Sequence, residues 1–258
     1  MNTAPKLPLW SVLLRAFALP WERNARLLQA VILPLVIVIA LSIVHILVLY
    51  PVTHLIGWLW QLAYSLSVAW VAVSIHRHVL IDAPRTNPEA PVAIARRIVL
   101  YAIALAILWM LFIGLFGIFC RVFEAALMGS ADDSMARVDA ITEHLRVTLL
   151  AAGAAAIVTS VFAGRLCLLL PAISIGENAS AAVLAARGNT LRLTVVFAVL
   201  PLALSLLGEL LYQDSSTKYE LVLFCVFGAL FLVIEITALS LAYRELISRA
   251  PPPTHPPA

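Results

Sequence analysis

The chain alternates long apolar runs with short basic punctuation. From Leu27 to His76 no Asp, Glu, Lys or Arg occurs, and further uncharged runs follow from Ile98 to Cys120, from Val147 to Gly164, from Leu193 to Gly208 and from Leu221 to Ile234. None of these runs alternates with the period of two expected of a half-buried strand. A bilayer core takes about 20 predominantly apolar residues per helical span, which these runs supply together with their apolar flanks. Only helices or closed barrels satisfy the backbone in lipid, and continuous rather than alternating runs favour helices. The pattern predicts six spans, at about 27–50, 55–79, 98–120, 147–170, 193–211 and 221–243. "PVTH" makes a tight turn between the first two. A shorter apolar helix is predicted over 9–21, with Arg15 inside and Trp10 and Trp21 near its ends, lying flat at the membrane surface. The proline-rich stretch 251–258, "PPPTHPPA", is expected to be disordered.

Composition agrees with this reading. Of 258 residues 63% are hydrophobic and 12% charged, with a mean hydropathy of +1.01. Soluble domains run near half apolar and a quarter charged. No soluble interior of this size hides so much apolar surface. The first long apolar run starts well inside the chain and is too long for a signal-peptide core, so no cleaved leader is expected.

The basic residues set an orientation. If the N-terminus is cytoplasmic, 13 of the 17 Lys and Arg residues fall in cytoplasmic segments, leaving Arg121, Arg137, Arg146 and Lys218 outside. The positive-inside rule then places both termini in the cytoplasm. The net charge of +3 marks the cytoplasmic rim, where anionic lipid headgroups are the natural partner and nucleic acid is not needed.

The even-numbered spans end alike. "SIHRHVLIDAP" places Arg77 seven residues before Pro84, "FAGRLCLLLPA" places Arg165 six before Pro171, and "LAYRELISRAP" places Arg244 seven before Pro251. The odd-numbered spans also begin alike, behind Arg23 and Arg26, behind Arg96 and Arg97, and behind Arg187 and Arg192. The expected fold is therefore all-α: six transmembrane helices in three parallel hairpin units, about 9–84, 89–171 and 177–250, within one transmembrane domain 1–250, with cytoplasmic-side interfacial helices. Parallel repeats of this kind are related by an axis along the membrane normal. Arg77, Arg165 and Arg244 are then expected at one level near the cytoplasmic face, each with an apolar stem and a head at the interface.

At these residues the chain resembles a broad group of six-span bacterial membrane proteins, the YciC-like proteins and the membrane domain that accompanies some glycerophosphoryl diester phosphodiesterases. "RGNTLRL", "HRHVL", "GRLCLLLPA" and "AYREL" carry the resemblance. It implies an all-helical inner-membrane protein and transfers no catalytic residue, because the phosphodiesterase chemistry of such fusions would sit in a separate soluble domain.

Chemistry is sparse. No HExxH, phosphate-binding glycine loop or GxSxG elbow is present. Residues two apart do not share a helix face, so His76 and His78 are not expected to hold a metal. No cofactor is expected. Asp132 and Asp133 read as a solvated outer loop, and Asn178-Ala-Ser180 as a cytoplasmic helix start. Cys120, Cys167 and Cys225 read as small apolar residues, with Cys120 and Cys225 toward one membrane face. Glu235 stands out. Taking Tyr243 as the end of its span, it lies eight residues up, roughly 12 Å at the helical rise. A carboxylate there costs several kcal/mol unless paired, hydrated or protonated. Its expected partners are Arg77, Arg165, His76 or a hydroxyl such as Ser67, Ser74 or Ser160. His45 in the first span reads as a hydrogen-bonded structural histidine. The candidate polar intramembrane site thus comprises Glu235, Arg77, Arg165, Arg244 and His76. Two functions follow: a non-enzymatic structural or accessory protein of the envelope, or a transporter or lipid-handling protein with a cytoplasm-facing site around Glu235.

Overall fold

The structure is a computed structural model that describes residues 6–22, 24–44, 54–81, 90–128, 137–177, 183–184, 186, 188–196 and 218–248. Among these every regular element is helical. In chain order they are α1 (Leu9–Glu22), α2 (Asn24–Val44), α3 (His54–Leu80), α4 (Pro91–Met128), α5 (Arg137–Ala163), a 3-10 turn (Leu166–Leu168), α6 (Leu169–Ile175), a short α7 (Thr190–Thr194) and α8 (Lys218–Ser248).

Among the described residues three helices are long and apolar enough to cross a membrane: Gly57–Leu80, Pro91–Phe123 and Val222–Ser248. They match the second, third and sixth expected spans. Leu150–Phe162 and Leu166–Ile175 together make a fourth if counted as one span, but they meet at a 49° bend. The described part of the first expected span is the apolar stretch Gln29–Val44 of α2. Most of the fifth, with His45, Asp132, Asp133, Asn178, Ser180 and the tail, lies outside the described residues.

Local chemistry explains several boundaries. α4 opens on Pro91, whose missing N–H costs nothing in a first turn. α6 ends on Gly176, at φ 76°, with Gly176 N–H donating to the Ile173 carbonyl and Glu177 N–H to that of Ala172. This is a Schellman ending, which needs a left-handed residue. The break between α5 and α6 falls at Gly164 and Arg165. A Cβ on Gly164 would lie 2.9 Å from the Ser160 carbonyl oxygen and 3.5 Å from the Thr194 amide nitrogen, so glycine lets α7 press against the end of α5. Pro171 was expected to close the fourth span, but it sits inside α6 and the chain continues to Gly176. Proline is tolerated there because it falls in the helix's first turn, where N–H groups have no intrahelical partner.

α8 is the centre of the bundle. Its C-terminal half, Ile236 to Tyr243, is buried on every side against α1, α2, α3 and α6. Its other half exposes Val222, Leu223, Phe224 and Phe227. α4 packs most extensively against α5 and exposes Ile103, Ile107, Met110, Ile113 and Ile118. Such broad apolar exposure is suited to lipid contact and is rare on a soluble monomer. α3 and α8 run in the same direction, since His76 meets Ser240 and Val79 meets Arg244.

Candidate functional site

The α3–α8 seam contains a closed polar chain. His76 is fully buried, with Nδ1 2.7 Å from Ser240 Oγ and Nε2 3.1 Å from Tyr101 OH on α4. Ser240 Oγ also bonds the Ile236 carbonyl at 2.8 Å. A carbonyl only accepts, so the single Ser240 hydroxyl proton goes to Ile236. His76 must then donate from Nδ1 to Ser240 and accept from Tyr101 at Nε2. The tautomer follows from this hydrogen-bond logic. The chain runs Tyr101 to His76 to Ser240 to a backbone carbonyl, where it stops. It links three helices and leaves the imidazole neither a free lone pair nor a free proton. His76 is therefore a helix-joining group, as its burial without a charged partner requires.

Glu235 lies five residues before Ser240, roughly 7.5 Å deeper along α8. It is half-buried, and Tyr101 and Cys167 are near enough to interact with it electrostatically. The expected arginine or hydroxyl partner does not form. Among the described residues no hydrogen bond or ion pair reaches the Glu235 carboxyl. Ser67 and Ser160 bond instead to the carbonyls of Ala63 and Ala156 one turn back, the usual competitor for a helical hydroxyl. Cys167 belongs to the 3-10 turn beyond the α5–α6 break, so the unpaired carboxyl borders a discontinuity in an apolar helix. Just before that break, Thr159 Oγ1 is buried with no hydrogen-bond partner among the described residues.

The arginines do not gather around Glu235. Arg77 follows His76 and is half-buried; Arg244 donates to the Val79 carbonyl at the end of α3. Because His76 is level with Ser240, Arg244 lies about three residues beyond Arg77, roughly 4.5 Å, so these two share a rim. Arg165 sits at the helix break, and at the far end of α6 Glu177 Oε2 accepts the Tyr243 hydroxyl at 2.6 Å. Arg165 instead donates from Nε to Thr190 Oγ1 at 2.5 Å. Pro171, which the sequence spacing takes as the exit of the span, lies within α6.

Further polar contacts had no sequence signal beyond their residue type. Arg97 donates to the Ser174 carbonyl at 3.3 Å, and its guanidinium covers Gly176, where a Cβ would come within 2.8 Å. Asn189, nearly fully buried, accepts the Leu7 N–H at 2.8 Å through Oδ1, while Arg192 donates to the Leu7 carbonyl. "RGNTLRL" thus clamps the backbone just before α1. Among the described residues no group of three or more His, Cys, Asp or Glu could hold a metal. No family model matches the chain, and neither a curated protein nor a solved structure matches it.

Proposed function

We propose that the chain is a non-enzymatic, multi-pass protein of the bacterial inner membrane that handles a lipid or solute carrying positive charge at a polar interior site, with Glu235 as the recognising group. The observation that carries this reading is the Glu235 carboxyl, half-buried and unpaired among the described residues, beside a broken apolar helix. Discontinuous helices are where membrane transporters place their binding groups, because the break frees backbone polar atoms inside an otherwise closed bundle. An aminophospholipid headgroup supplies the cation that such a carboxylate lacks.

A purely structural or accessory envelope role is the second reading. It is favoured by the closed chain Tyr101–His76–Ser240, whose polar capacity goes entirely into joining helices. Six crossings in three parallel hairpins, with both termini and the interfacial helices on the cytoplasmic side and anionic headgroups at the basic rim, complete the proposal. They are supported by the three long apolar helices, the parallel course of α3 and α8, and the distribution of Lys and Arg. α1 suits the interface: Val12 and Ala16 are buried, while Trp10, Leu14 and Phe17 are exposed on a shared face beside exposed Arg15.

Lipid mass spectrometry of the protein purified from native membranes tests the function. An aminophospholipid enriched over bulk membrane in the parent, and returned to the bulk proportion in Glu235→Gln, is the expected result. The same lipid profile in both proteins would leave only the structural role.

A further inference from the structure

We infer that Arg165 and Thr190 form a binding site for the phosphodiester of a membrane phospholipid, at the break between α5 and α6. The inference rests on the membrane reading above but not on Glu235.

Arg165 is exposed, and Thr190 Oγ1 accepts its Nε–H at 2.5 Å. That bond fixes the guanidinium plane and leaves the two terminal nitrogens as an outward fork. Among the described residues no carboxylate pairs with them. The hydroxyl proton of Thr190 is also unclaimed among these residues, because its oxygen accepts from Arg165. Three donors are therefore left on this surface: two N–H groups of Arg165 and the O–H of Thr190. A planar fork of this kind matches the two non-bridging oxygens of a phosphate.

The surroundings identify the phosphate's carrier. Phe162, one turn before Arg165, is 60% exposed, and Leu191, next to Thr190, is 73% exposed. Exposed apolar groups on both sides make this a lipid-facing surface, where an unpaired guanidinium is not tolerated in hydrocarbon. The level is set independently. Leu7 is bonded to Asn189 and Arg192, which flank Thr190, and it follows exposed Lys6. An exposed lysine belongs in water or among headgroups, so Thr190 and Arg165 lie where lipid phosphates are found. A free phosphate would satisfy the donors alone. A lipid also covers Phe162 and Leu191 with its chains.

Delipidated protein in detergent, titrated with short-chain phosphatidylglycerol and read by native mass spectrometry, tests the site. That lipid has no amine, so Glu235 plays no part. Arg165→Gln is expected to weaken binding about tenfold or more, since charge-assisted hydrogen bonds are lost. Thr190→Val, which removes one neutral donor, is expected to weaken it about threefold to tenfold. Arg165→Lys keeps the charge, loses the fork and should fall near Arg165→Gln. Arg121→Gln, an exposed arginine near the opposite end of α4, should bind as the parent does. Equal losses in Arg165→Gln and Arg121→Gln, or parental binding in Arg165→Gln, would overturn the site. Displacement of the lipid by excess inorganic phosphate would overturn its assignment to lipid. Thr190→Val covers the case in which Arg165→Gln fails to fold: parental binding in Thr190→Val then counts against the site. Recovery of the parent from cells without detergent would instead defeat the membrane reading.

Discussion

Ser240→Ala removes the acceptor that holds His76 Nδ1 at 2.7 Å and little else. Ala fills nearly the same volume, and the Ile236 carbonyl keeps its helical backbone bond. The one casualty is a fully buried imidazole N–H. Stranding a buried polar group costs about 1–3 kcal/mol. Side-chain hydrogen bonds measured inside membrane bundles average only ~0.6 kcal/mol, because the unfolded chain finds partners in the bilayer too. Both residues are fully buried here, so a loss of about 1–2 kcal/mol is expected. Tyr101→Phe keeps the tilted ring contact at 5.6 Å and strands Nε2, at about 1 kcal/mol for a longer bond of 3.1 Å. The two changes share one imidazole whose tautomer ties them together. Their double variant should therefore cost less than the sum of the singles, by about 0.5 kcal/mol or more. Reversible unfolding in mixed detergent micelles, followed by tryptophan fluorescence, measures all four proteins. A Ser240→Ala variant within about 0.3 kcal/mol of the parent would show that His76 does not bridge α3 and α8.

Glu235→Leu should raise stability by about 1 kcal/mol or more, because an unpaired carboxyl leaves an apolar setting; a lower melting point in detergent would reveal a partner. Gly176→Ala should destabilise by about 1–2 kcal/mol, since alanine is strained at φ 76° and its Cβ would displace Arg97; chemical unfolding in detergent measures the loss, and parental stability would remove Arg97 from the cap. Asn189→Ala should release the segment before α1, seen as faster protease cutting ahead of Leu9 in permeabilised cells; an unchanged rate would mean that Arg192 and burial of Leu7 suffice. In intact cells, Asp214→Cys, in the expected outer loop between the fifth and sixth spans, should react with a membrane-impermeant maleimide from outside; labelling that requires membrane disruption would reverse the proposed topology.

The sequence makes the helices legible and the contacts between them obscure. Uncharged runs mark α3, α4 and α8 because each is a helix long and apolar enough to cross a membrane. The break at Gly164 was hidden inside such a run, since hydropathy does not register a glycine needed for the close approach of α7. Glu235 was conspicuous as a lone charge, but its partners were not, since burial alone does not say which hydroxyl faces it. Ser160 and Ser67 satisfy their own helices instead. His76 was visible beside Arg77, yet its partner Ser240 lies 164 residues away and resembles any small helix-packing residue. The distance from Arg165 to Pro171 marks no span end, because the proline lies within α6.

Cys167 offers the most direct measurement of the binding claim, because it lies between the helix break and Glu235. With Cys120 and Cys225 replaced by Ala, the protein is reconstituted in nanodiscs and labelled at Cys167 with a small maleimide. Phosphatidylethanolamine in the nanodisc should slow labelling relative to phosphatidylglycerol, and Glu235→Gln should abolish that difference. Equal labelling rates in the two lipids, or a difference that survives Glu235→Gln, would contradict recognition of a cationic headgroup by Glu235.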